Sequence, residues 1–167
     1  ELLPVLKAAQ QDKDAETAGL MTAVFAATQI LANPLMGWLG DRWSHRGAME
    51  IGALAAMLSG LLAWFAPSAA WFYLVFIIAG IANVAVWTLV IPLTLQFSSD
   101  AERPAYIGLA NTLVAPVTFL APILGGWLAD ATGYSTTFLA SALGGLVTLV
   151  VLHSILRDPI RDHRVHE

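Results

Sequence analysis

The residues able to do chemistry fall into two sets. One is a compact charged knot, Asp41, Arg42 and Arg46, held within Gly37-Trp-Leu-Gly-Asp41-Arg42-Trp-Ser-His-Arg46. A carboxylate is stabilised opposite the positive N-terminal end of a helix. Guanidiniums pair with acids, and Asp100 and Glu102 in the next charged stretch are the acids expected to meet Arg42 and Arg46. The other set is uncharged and lies inside long apolar runs. Gln29 and Asn33 are four apart and share a helix face, as do Asn83 and Trp87; Asn111, Ala115 and Thr118 line one face of a later run. Such amides are costly against lipid, so they are expected to face a bundle interior, where they bind an uncharged solute by hydrogen bonds. The plainer reading of each is an interhelical hydrogen bond, worth about 0.6 kcal/mol. Trp87 stands out, because a tryptophan in mid-span has no interfacial reason to be there.

Other chemistry is missing from the sequence. With no cysteine, the chain has no disulfide, thiol catalyst or Cys-based metal site. The spans hold no paired acids and no nucleophile with its base. Hence no catalytic residue, metal or cofactor is expected, and the chain is not read as an enzyme. Glu50, one turn inside the second span, and His153, near the inner end of the fifth, are read as snorkelling to the interface. His163 and His166 read as solvated tail residues.

The elements that must carry these residues are membrane helices. The chain of 167 residues is 57% hydrophobic and 12% charged, about half the charge usual in a soluble domain. No Asp, Glu, Lys or Arg occurs in residues 18–40, 51–99, 104–129 or 131–156. About 20 apolar residues cross the hydrocarbon core as a helix. Helices satisfy their own backbone there, where no water can. Five spans are expected, over about 18–40, 47–66, 71–97, 104–129 and 135–156. The fold class is therefore an all-α polytopic membrane bundle, with a polar extracytoplasmic segment at 1–17 and a cytoplasmic tail at 157–167. Glu1 in place of Met, with no signal peptide after it, suggests a piece of a longer polypeptide.

Lysine and arginine give the orientation. One face carries Arg42, Arg46, Arg103, Arg157, Arg161 and Arg164; the other carries only Lys7 and Lys13. The positive-inside rule puts the 41–47 loop, the 98–103 loop and the C-terminus in the cytoplasm. Small residues at Gly52, Ala56 and Gly60, at Ser141 and Gly145, and at Ala140 and Gly144 read as stripes for close helix packing.

The chain also echoes itself. Leu31-Ala-Asn-Pro-Leu-Met-Gly-Trp-Leu-Gly-Asp41 resembles Leu120-Ala-Pro-Ile-Leu-Gly-Gly-Trp-Leu-Ala-Asp130, at an offset of 89 residues. The copies are offset by three helices, so they end on opposite sides of the membrane. Inverted repeats of this kind are a transporter signature.

The 37–46 stretch resembles the cytoplasmic signature of the major facilitator superfamily, Gly-x-x-x-Asp-Arg-x-Gly-Arg-Arg/Lys. Gly37, Asp41, Arg42 and Arg46 match, while Ser44 and His45 stand where the pattern has Gly and Arg. Glu102-Arg-Pro-Ala-Tyr-Ile-Gly-Leu-Ala-Asn111 and Pro122-Ile-Leu-Gly-Gly-Trp-Leu-Ala-Asp130 look like the loop, eleventh helix and following turn of such transporters. The resemblance implies a twelve-helix fold in two halves. The chain then supplies helices eight to twelve, because no Arg lies within Trp71–Phe97, where the first half usually carries one.

On this resemblance the protein is a secondary transporter of a small solute, working by alternating access in a bacterial-type plasma membrane. Gly37, Asp41, Arg42 and Arg46 would gate the cytoplasmic side, with Asp41 meeting a helix of the N-terminal half. Gln29, Asn33, Asn83, Trp87, Asn111 and Thr118 would line the substrate cavity. The expected partners are that other half, the solute and the bilayer, with no nucleic acid. The competing reading is a non-transporting membrane scaffold assembled through the small-residue stripes.

Overall fold

The computed structural model describes the backbone of residues 2–96 and 102–155, and the side chains of residues 10–88 and 102–154. Over these residues the chain forms five helices: α1 (Leu2–Arg42), α2 (His45–Phe65), α3 (Trp71–Gln96), α4 (Arg103–Thr132) and α5 (Tyr134–Ile155). All five contain a stretch long and apolar enough to cross a membrane. The fold is the all-α polytopic bundle expected from the uncharged runs.

The first helix is longer than its apolar part. It begins at Leu2 and continues unbroken through the polar residues Gln10–Thr17. Leucine, lysine, alanine, glutamine and glutamate there are good helix formers in water as well as in lipid. Pro4 lies in the first turn, where its missing N–H costs little. Polarity thus marks where this helix leaves the apolar layer, not where it stops.

Between α1 and α2 lies a joint of two residues, Trp43 and Ser44. The Trp43 amide still bonds back to the Leu39 carbonyl at 3.0 Å. Ser44 is extended, with φ −176° and ψ 134°, and its hydroxyl accepts from the Gly47 amide at 3.3 Å. A serine at this place therefore caps α2, which a glycine could not do with a side chain. At the α4–α5 turn Gly133 adopts φ +89° and donates to the Ala129 carbonyl at 2.9 Å. That left-handed backbone suits glycine.

The centre of the bundle is α2, which packs against α3 on one side and α5 on the other; α1 lies on α3. Its buried residues are all small: Ala48, Gly52, Ala53, Ala55, Ser59, Gly60 and Ala63. Lipid tails offer no hydrophobic gain for burial, so association depends on close backbone approach. A Cβ at Gly60 would lie 2.7 Å from the Ala142 amide nitrogen of α5, and one at Gly145 would lie 2.5 Å from the Met57 nitrogen of α2. Gly52 is closed off by Ala85 of α3, and a Cβ at Gly80 would lie 3.0 Å from Cβ of Thr28 on α1. Gly52, Gly60 and Gly145 are thus packing positions, whereas Ser141 on the same stripe is exposed. By contrast, a Cβ at Gly144 would meet nothing within 4 Å. Near the α1–α2 joint, Ala32, Met36, Ala48, Val84 and Ala85 form a buried cluster, with Leu39, Met49 and Ile81 against it.

The fourth helix is held differently. It touches α5 and α3, and none of its residues is buried.

Candidate functional site

The charged knot sits on two helix ends. Asp41 and Arg42 are on the last turn of α1 and Arg46 is on the first turn of α2, with the Ser44-capped joint between them. The Asp41 side chain is 81% exposed, and its Oδ1 lies 3.6 Å from Nε2 of His45, which is largely shielded. Arg42 turns back along its own helix and places its guanidinium carbon 5.5 Å from the centre of the Trp38 ring. At that distance a cation and an indole attract each other. A Cβ at Gly37 would meet nothing within 4 Å, so the described residues leave this face of α1 open.

Arg46 is committed elsewhere. Its Nε donates to Glu50 Oε1 at 3.0 Å, and an Nη donates to the backbone carbonyl of His153 at 2.8 Å. Nδ1 of His153 lies 3.6 Å from the same Glu50 oxygen. Glu50 and His153, read from sequence as snorkelling separately, are thus brought together by Arg46. Glu102 occupies the N-cap position of α4, with no side-chain bond to that helix's first turn. Asp100, the other acid expected to meet the arginines, lies outside the described residues, as do Arg157, Arg161, Arg164, His163 and His166.

The uncharged set is only partly gathered. Asn33 joins α1 to α3: its Nδ2 donates to the Gln29 carbonyl at 3.0 Å, and its Oδ1 accepts from the Thr88 hydroxyl at 2.7 Å. Thr88 was not singled out in the sequence, since a threonine in an apolar span usually bonds to its own helix. Asn83 lines an open groove of about 330 Å³ together with Phe25, Ser59 and Ser141, so α1, α2, α3 and α5 all contribute to it. Trp87 is 60% exposed and Gln29 is half-buried. Asn111 and Thr118 lie on the unburied α4, where the Thr118 hydroxyl bonds back to the Val114 carbonyl at 3.0 Å. The described residues therefore tie Asn33 to α3 through Thr88 and leave Asn83, Trp87, Asn111 and Thr118 on open faces. No group of acids and histidines able to hold a metal ion occurs among the described residues.

Comparison with known proteins points one way. The chain is 24% identical over 144 residues to a Multidrug resistance protein 1 of Bacillus subtilis, covering 86% of this chain and 37% of that protein. It is 25% identical over 134 residues to a class B Tetracycline resistance protein of Escherichia coli, covering 80% and 33%. A Peptide transporter, YePEPT, of Yersinia enterocolitica is 29% identical over 141 residues, covering 81% and 28%. The chain thus spans about a third of the length of these curated relatives. The pattern that defines the Major Facilitator Superfamily matches residues 2–167, a stretch that includes the five apolar helices and the Asp41–Arg46 joint, and the chain belongs to that family.

Proposed function

We propose that this chain is the C-terminal part, helices eight to twelve, of a secondary transporter that moves a small solute by alternating access. The observation that carries the reading is the state of the α1 end. Asp41 is 81% exposed and the Gly37 face beside it is open, while the neighbouring groups Arg42 and Arg46 are engaged within the chain. A carboxylate presented beside a glycine face suits the approach of another helix with its positive N-terminal end forward. That helix would belong to the N-terminal half, and the contact would close the cytoplasmic side in the outward-facing state. An ion pair left in water contributes only about 0–1 kcal/mol, so the latch works only if closure buries Asp41.

The orientation follows from charge: the Asp41–Arg46 joint and the C-terminus lie in the cytoplasm of a bacterial-type plasma membrane. The cavity is formed where the open faces bearing Asn83, Trp87, Asn111 and Thr118 meet the other half. With amides and an indole but no charge, these faces suit an uncharged or amphipathic solute. The names of the multidrug and tetracycline relatives agree with that class.

The test is solute movement by the full-length parent protein in cells, using a panel of amphipathic compounds that includes tetracycline, in wild type and Asp41→Asn. Wild type is expected to change the cellular level of at least one compound. The variant, present in the membrane at equal amount, should be at least tenfold slower. If wild type moves nothing across a broad panel and the variant is indistinguishable, the non-transporting scaffold is the better account.

A further inference from the structure

Arg46 lies at the start of α2 and His153 in the last described turn of α5, 107 positions apart in the chain. Three contacts join them: Arg46 Nε to Glu50 Oε1 at 3.0 Å, Arg46 Nη to the His153 carbonyl at 2.8 Å, and Glu50 Oε1 to His153 Nδ1 at 3.6 Å. The Arg46 and Glu50 side chains are 18% and 25% exposed and that of His153 is 78% exposed, so water competes least for the Arg46–Glu50 bond. The chemistry at each end is apt. Carbonyls at the end of a helix point outward and attract cations. A guanidinium is a rigid planar fork, able to meet a carboxylate along one edge and a carbonyl along another at the same time. Glu50 sits one turn above Arg46 on the same helix face and fixes the direction of that fork.

We propose that Glu50 is a positioning residue of the Asp41–Arg46 joint, holding Arg46 as a clamp that fastens the start of α2 to the end of α5. The joint and α5 then move as one body, and a motion at the gate is carried to α5. Small-residue contacts fasten the same two helices deeper in the bundle, where Gly60 and Gly145 meet their neighbours. The clamp closes the pair at the loop end, where Met49 and Leu152 still face each other across a cavity of about 150 Å³. The clamp's role at the gate rests on the transporter reading; its existence does not.

The test uses the full-length protein with a cysteine reporter at Leu152, which is 6% exposed between α2 and α5. The rate of N-ethylmaleimide labelling reports opening of that seam, with no solute present. Arg46→Lys, which keeps the charge but loses the fork, and Glu50→Gln should each raise the rate about tenfold, the effect of losing one charge-assisted hydrogen bond. His153→Ala keeps the carbonyl and should stay within about twofold of wild type. For any panel solute that wild type moves, Glu50→Gln should lower the maximal rate per folded transporter and leave the half-saturating concentration unchanged. Labelling of Arg46→Lys and Glu50→Gln at the wild-type rate overturns the clamp, as does a shift in half-saturation alone. If wild type moves no solute, labelling still decides the clamp, and only the transporter reading falls.

Discussion

Gly144 and Gly145 are adjacent in sequence and face opposite surroundings, which makes a clean test of how α2 and α5 meet. A Cβ at Gly145 would lie 2.5 Å from the Met57 nitrogen and 2.8 Å from its Cα, both backbone atoms of α2. Ordinary contact for a methyl is about 3.5–4.0 Å, so the helices must part by roughly 1 Å to admit it. Backbone cannot rotate away as a flexible side chain could. Overpacking of this kind costs about 1–3 kcal/mol, and parting the helices also loosens Gly60 against Ala142. Gly144→Ala meets nothing within 4 Å and gains up to about 1 kcal/mol of helix propensity. The assay is reversible denaturation of the full-length protein in mixed detergent micelles, following tryptophan fluorescence. Gly145→Ala is expected to be destabilised by about 1–3 kcal/mol relative to Gly144→Ala, and Gly60→Ala similarly. Equal stabilities for the 144 and 145 variants would refute the close α2–α5 approach.

Two further outcomes are expected. Ser44→Ala removes the hydroxyl that accepts from the Gly47 amide and should destabilise the protein by about 1 kcal/mol in the same denaturation, whereas Ser44→Gly should cost only a few tenths. The Asn33–Thr88 bond should give a coupling of about 0.6 kcal/mol in a double-mutant cycle of Asn33→Ala and Thr88→Val, while pairing Thr88→Val with Asn83→Ala should give none.

What the sequence could and could not reveal follows from how far each signal reaches. The five helices were legible because a lipid-crossing helix must exclude charge for about 20 residues, and that exclusion is visible directly. The α1–α2 joint was legible because Asp41, Arg42 and Arg46 interrupt it. The helical continuation of α1 back to Leu2 was not, because polar residues mark the edge of the apolar layer equally well on a helix or a loop. Two stripes, through Gly52/Gly60 and through Gly145, had real partners, yet Gly144 beside them had none; spacing shows that a close approach is possible, not which face is used. The link from Arg46 to His153 spans most of the chain, and no local pattern records it. Among the amides, sequence placed each on a face, but only the packing showed that Asn33 is bonded to Thr88 and that Asn83 shares a groove with Ser59 and Ser141.

The unbroken run of α1 has a mechanical consequence. Its 41 residues make a rod about 60 Å long, twice the hydrocarbon thickness. One end carries Asp41, and the turns at the other end project well beyond the apolar layer on the opposite face. A rod of that kind is a lever. If α1 pivots by about 10° near Pro34, the tip some 50 Å away sweeps about 8 Å. Small rearrangements at the joint would thus be magnified on the far side of the membrane. A fluorophore or antibody fragment attached near Lys13 would then act as a pointer, reporting movement of the α1–α2 joint from outside the bundle.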